Sequence, residues 1–121
     1  MTTEIAWYVE LAVKPGQLAN FEKLTGEMVS ATHAETGVLA YQRFISNDNC
    51  VVIVYERYAN SEAAAAHLRK FAVEFGERYA RVVDRTSFVV LGNPSAELRG
   101  LLDAYAARYF APFGPFAWWS E

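Results

Sequence analysis

Apolar and polar residues alternate from the start of the chain. Ile5, Trp7, Val9, Leu11 and Val13 form one face, and Ala6, Tyr8, Glu10 and Ala12 the other. A period of two predicts a strand, and Lys14-Pro15-Gly16 ends it. From Leu18 the period lengthens. Leu18, Phe21, Leu24, Met28, Val29 and Thr32 fall at helical spacing, with Gly37 as a C-terminal stop. Val38 to Ile45 and Val51 to Tyr58 are β-rich runs joined by Asn47-Asp48-Asn49, which predicts a hairpin. Asn60 or Ser61 can cap a second helix carrying Ala64, Leu68, Phe71, Ala72, Phe75, Tyr79 and Val82. Thr86 to Leu91 reads as a fourth strand, stopped by Gly92-Asn93-Pro94. Ser95 can cap a short third helix bearing Leu98, Leu101, Leu102 and Tyr105, and Pro112, Gly114 and Pro115 make the remainder an irregular aromatic tail.

The order β-α-β-β-α-β predicts an α+β, ferredoxin-like domain: one antiparallel sheet with both main helices on one face. Its other face needs a cover. In the third strand Val51, Ile53 and Tyr55 point one way, and Val52, Val54, Glu56 and Tyr58 the other, so both faces are largely apolar. Two helices can cover only one of them. The economical cover is a second copy, packed sheet to sheet as an isologous homodimer. Tyr8, Glu10 and Glu56 are then expected to point into the space between the sheets. The alternative is that the aromatic tail folds back over its own sheet.

Composition narrows the function. The chain has 121 residues, 53% of them apolar and 21% charged, which suits one domain with a buried core. A net charge of −3 with scattered Arg and Lys argues against nucleic-acid binding. The pattern of an RNA-binding third strand is also missing. No apolar run approaches the roughly 20 residues of a membrane span. Cys50 is the single cysteine, which points to a reducing, cytoplasmic setting without an intrachain disulfide. Cys50, His33 and His67 are too far apart for a metal-ligand motif. Glycine-rich phosphate loops and Ser or Cys nucleophile motifs are absent, so no cofactor is expected.

A few residues could carry chemistry. His67 lies beside the apolar stripe of the second helix, as a general base at a cavity or as a solvated surface ring. Glu10 and Glu56 stand among apolar strand residues, where burial suits a carboxylate to proton abstraction; the alternative for Glu56 is an ion pair with Arg43 or Arg57. Tyr8, Tyr41, Tyr55 and Tyr58 could contact an aromatic ligand or simply fill core. His33, in the last turn of the first helix, reads as structural. The terminal Pro112-Phe113-Gly114-Pro115-Phe116 reads as a dimer arm or a lid.

Four segments together resemble the antibiotic biosynthesis monooxygenase domain family. They are Glu35-Thr36-Gly37-Val38-Leu39-Ala40-Tyr41, Val52-Ile53-Val54-Tyr55-Glu56-Arg57-Tyr58, Ser61-Glu62-Ala63 and Ala66-His67-Leu68. The resemblance covers about residues 4–91. It implies a dimeric α/β barrel, and oxidation of quinol-like or polycyclic aromatic molecules by O₂ without metal or flavin. In that chemistry a base deprotonates a phenol and the anion reduces O₂ directly. The chain departs from the family in places. Many members carry a second His about five residues after the first, where this chain has Arg69-Lys70-Phe71-Ala72-Val73. Haem-degrading relatives place an Asn in the first strand and a Trp near the position of His67, so haem degradation is disfavoured. The family also holds isomerases, and fold alone does not settle function.

The expectation is therefore a family-like domain at residues 1–92, with a C-terminal helix and aromatic arm at 93–121. It would be a homodimeric, cofactor-independent monooxygenase-like enzyme for a small aromatic molecule, with His67 or Glu56 as proton acceptor. Tyr8, Glu10, Tyr41 and Tyr58 would line its site. The alternative is a non-catalytic module that binds a small ligand on the same scaffold.

Overall fold

The computed structural model describes residues 2–115. Its elements run β1 (Ile5–Val13), α1 (Leu18–His33), β2 (Val38–Ile45), β3 (Val51–Tyr58), α2 (Ser61–Glu74), α3 (Gly76–Val82), β4 (Val83–Leu91), α4 (Ala96–Asp103) and β5 (Arg108–Phe110). One open sheet has the order β2-β3-β1-β4-β5. The first four strands pair antiparallel, and β5 runs parallel to β4. This is the α+β, ferredoxin-like arrangement that the periodicities predict. Among the described residues, no helix is long and apolar enough to cross a membrane.

The alternation in β1 is realised residue by residue. Ile5, Trp7, Val9 and Leu11 are buried in the core with Phe21, Leu24 and Met28 of α1 and Ala64 and Leu68 of α2. Val52, Val54 and Tyr58 of β3 join them from the neighbouring strand. Val29, expected on the apolar stripe, is instead exposed. The hairpin turn is held by Asp48, whose carboxylate accepts from the Ser46 hydroxyl at 2.7 Å and the Cys50 amide at 3.0 Å. Asn49 takes the left-handed backbone that a tight turn needs. The Asn60 side chain accepts from the Ala63 amide at 2.9 Å and so is the cap of α2. Ser95 caps α4 in the same way, through the Leu98 amide at 3.1 Å.

Several further expectations need correction. The helix expected to run from Ala64 to Val82 is broken at Phe75, whose backbone leaves the helical region (φ −130, ψ −16). Gly76 follows, and glycine is about 1 kcal/mol poorer than alanine inside a helix. The break lets α3 pack on α1, where Arg78 forks onto Glu27 at 2.6 and 3.0 Å. β4 starts at Val83, not Thr86, because a register shift at Glu10/Leu11 lets Val83, Asp84 and Arg85 pair with Val13, Ala12 and Leu11. The stretch after α4 is not wholly irregular: Arg108–Phe110 form β5, too short for alternation to reveal. Tyr105 lies past the end of α4. Phe116, Trp118 and Trp119, part of the expected arm, lie outside the described residues.

Candidate functional site

The pairing of β1 with β3 decides which side chains can meet. Trp7 stands opposite Glu56, and Tyr8 opposite Tyr55. Directly opposed residues share a face, so Glu56 lies with Trp7 under the helices. Tyr41 is opposite Glu56 from β2 and joins the same face. Glu56 therefore does not point into a space between two sheets, as expected; its position in β3 has the parity of Val52, Val54 and Tyr58. Tyr8 and Glu10 remain on the open face, where the Thr86 hydroxyl donates to Glu10 Oε2 at 2.8 Å. The six candidates thus separate: Glu56, Tyr41, Tyr58 and His67 come together, and Tyr8 and Glu10 do not join them.

His67 is 4% exposed, so its ring is not solvated. Its Nδ1 lies 2.9 Å from Oε1 of Glu35 and its Nε2 3.4 Å from Oε1 of Glu56. Tyr58 donates its hydroxyl to that same Glu56 oxygen. The Tyr41 ring meets the imidazole edge-on at 5.2 Å between centroids, and the Tyr58 ring lies tilted at 5.4 Å. Burial, reinforced by the Glu56 charge, pushes the Tyr58 hydroxyl well above its ordinary range. Tyr58 therefore stays a proton donor to Glu56 through the neutral range. Burial also pushes Tyr41 up. The ion pair weighed for Glu56 goes elsewhere: Arg57 binds Glu4 at 2.5 Å, and Arg43 lies over the Tyr41 ring at 4.2 Å.

Glu35 is the member that the strand and helix patterns could not show. It sits in the connection after α1, where its amide donates to Thr32 O at 2.9 Å. Gly37 follows with φ +82, and a Cβ there would come within 2.7 Å of the Ala63 Cβ on α2. Glycine is thus required for the chain to pass this close to α2 and set Glu35 against His67. Lys70 adds a second tie, 3.2 Å from Ala31 O and 3.8 Å from Glu35 Oε2. The only hint in the sequence was the Glu-Thr-Gly segment that opened the family resemblance.

The chemistry follows from the geometry. Glu35 Oε1 is placed to accept from an Nδ1–H, a contact that would set the tautomer and turn Nε2 toward Glu56. His67 Nε2 and Glu56 Oε1 then face one another at 3.4 Å. The pair stands beside a small cavity of about 30 Å³ lined by Trp7, Glu56, His67, Phe71 and Phe88, among others. It has room for about one or two water-sized molecules. A larger cleft of about 400 Å³ opens outside it, at the α2–α3 break and the start of β4. Phe71, Tyr79, Arg85 and Tyr105 line both spaces. Among the described residues, no group of three His, Cys, Asp or Glu side chains could hold a metal ion.

Comparison with known proteins follows the same outline. Residues 5–74 match the family model for antibiotic biosynthesis monooxygenase. MupZ from Pseudomonas fluorescens is similar in structure, with a TM-score of 0.85 at 20% identity over 97% of this chain and 91% of MupZ. Rv0793 from Mycobacterium tuberculosis gives 0.66 at 20% identity over 76% of this chain and 96% of its own. A candidate antibiotic biosynthesis monooxygenase from Nitrosomonas europaea gives 0.67 at 21% identity over 77% and 92%. At these identities the structural likeness is one of fold. No curated protein matches the chain.

Proposed function

Because the chain belongs to the antibiotic biosynthesis monooxygenase family, we propose that it oxidises a small phenolic or quinol-type substrate with O₂, without a cofactor. The observation that carries this is the line Glu35–His67–Glu56, a buried imidazole held by one carboxylate and facing another beside a small cavity. His67 Nε2 takes the phenol proton, with Glu56 able to share it, and Glu35 steadies the imidazolium. The electron-rich phenolate then gives electrons to O₂. For a phenol with a free para C–H, the balance is phenol plus O₂ to quinone plus water. One oxygen atom becomes the new carbonyl, and the other leaves as water with the hydroxyl proton and the para hydrogen.

The inner cavity is too small for an aromatic ring, so the ring occupies the outer cleft with its reactive edge toward His67. The inner space takes the phenol hydroxyl, or one water that relays its proton to His67, and O₂ meets the ring in the cleft. Apolar walls from Trp7, Leu68 and Phe88 keep bulk water from the anion. The open face of the sheet, where Tyr8 and Phe44 are 38% and 53% exposed, is covered by a second copy.

Oxygen uptake by the purified chain, with a panel of quinols and hydroxynaphthalenes, tests the reading. His67→Ala and Glu56→Gln should each lower turnover by about 10²–10⁴-fold, the usual contribution of a positioned base. Uptake no faster than in buffer across the panel would sink the oxidation. Tight binding without turnover would then favour the ligand-binding module.

A further inference from the structure

The wall between the two cavities contains two donors that have no acceptor among the described residues. Arg85 projects from β4 on the helix side, opposite Leu11. Its guanidinium lies over the Tyr105 ring at 4.7 Å and 6.0 Å from the Phe88 ring. It forms no ion pair within 4 Å with any carboxylate among the described residues. Its neighbour Asp84 turns instead to Lys14, at 3.7 Å. Glu56 lines the same inner cavity, but it is engaged by Tyr58 and His67. The second donor is Tyr79, whose ring is packed edge-on against Phe71 at 4.9 Å and Phe21 at 6.2 Å. Its hydroxyl has no hydrogen-bond partner among the described residues. Burial raises it far above the ordinary tyrosine range, so it remains a donor.

The Arg85 guanidinium is partly buried against these rings and, among the described residues, faces no carboxylate within 4 Å. It stands, with Phe71, Tyr79 and Tyr105, where the outer cleft and the inner cavity share their lining. What the site lacks is an acceptor of negative charge. We propose that the outer cleft binds an aromatic carboxylate, with Arg85 and the Tyr79 hydroxyl as the groups that recognise the acid. One planar guanidinium plus one hydroxyl matches a carboxylate, which takes a forked pair from arginine. A dianionic phosphate would meet Asp84 at the rim with a single cation to balance it. The aromatic part lies against Phe71 and Tyr105. This assignment rests on the proposed function for the position of the reacting ring, and it narrows the substrate to an acid. Arg85 is then a specificity residue, distinct from the proton-transfer pair.

Equilibrium binding tests the assignment apart from turnover. The probes are 9-anthracenecarboxylate and the neutral 9-anthracenemethanol, followed by their fluorescence. The wild type should bind the acid at least about tenfold more tightly than the alcohol, as expected of a charge-assisted pair. Arg85→Gln should abolish that preference, Arg85→Lys should keep part of it, and Tyr79→Phe should reduce it by a few-fold. His67→Ala should leave the preference intact, since it removes the proton acceptor and not the anchor. Loss of oxygen uptake with the preference intact therefore counts against the oxidation alone. Equal binding of acid and alcohol, no binding of either, or a preference that survives Arg85→Gln overturns the anchor.

Discussion

Nδ1 of His67 lies 2.9 Å from Oε1 of Glu35, across the gap between α2 and the connection that follows α1. The residues are 32 positions apart in sequence. The contact orients the ring so that Nε2 faces Glu56 and the cavity. Glu35→Gln keeps the size of the side chain and removes the charge. Its amide can donate to Nδ1, which would stabilise the tautomer with the proton on Nε2. Such a swap behind a catalytic histidine costs orders of magnitude in kcat, about 10² or more, with KM nearly unchanged. Steady-state oxygen uptake on the best phenol of the panel measures it. Unchanged kcat would reduce Glu35 to a scaffold residue.

How much of this was legible in the sequence varies with the range of the cause. β1, β2 and β3 are read correctly to the residue, because alternation and turn chemistry are local signals. The face of Glu56 was also implicit, since it shares the parity of Val52 and Val54. What the strand pattern does not show is which of the two apolar faces the helices cover; they cover this one, where Tyr58 and His67 give Glu56 partners. The break at Phe75 was hidden because Tyr79 and Val82 keep helical spacing with the residues before it. Glu35, Tyr79 and Arg85 acquire their roles only when α1, α3 and β4 pack together, and no periodicity records that. Buried His67 was hard to recognise for the same reason: its cover comes from Tyr41 and Tyr58 on two strands.

Trp7 is the structural floor of the site. It is 1% exposed and touches Tyr58 at 4.8 Å and Phe88 at 5.5 Å between ring centroids. Trp7→Ala should cost about 3–5 kcal/mol of stability, the range for a large aromatic truncated in a core. Urea unfolding followed by circular dichroism gives the number. Trp7→Phe should retain most of the stability, because much of the apolar volume stays. A loss below about 1 kcal/mol for the alanine variant would mean that the neighbours close over the gap.

Tyr41, Tyr58 and Tyr79 all have hydroxyls raised by burial. The sign of their effect is fixed. Below about pH 10 these tyrosines are neutral both folded and unfolded. Above it the unfolded chain releases their protons and the folded chain holds them, so stability falls as pH rises. Each tyrosine contributes up to about 1.4 kcal/mol per pH unit while it is protonated only in the fold. Tm should therefore drop steeply from about pH 10, and phenolate absorbance from these three should grow in only with unfolding. Tyr79→Phe should make the drop shallower. A Tm that stays level to pH 11 would contradict the burial of these hydroxyls.

Ile53 sits on the open face between Glu10 of β1 and Phe44 of β2, in the middle of the patch that a second copy would cover. Across a two-fold interface a substitution acts twice. Ile53→Asp puts a carboxylate beside Glu10 in the middle of the apolar patch. The wild type should sediment at twice the chain mass at micromolar concentration, and Ile53→Asp at the chain mass. A monomeric wild type would mean that the sheet is covered in another way. The site lies on the opposite face, built from β3, α2 and the connection after α1 of a single chain. The separated chain should therefore keep its acid-binding preference even as it loses the partner. Had the reacting groups stood between two sheets, binding and assembly would be lost together; their place under the helices separates them.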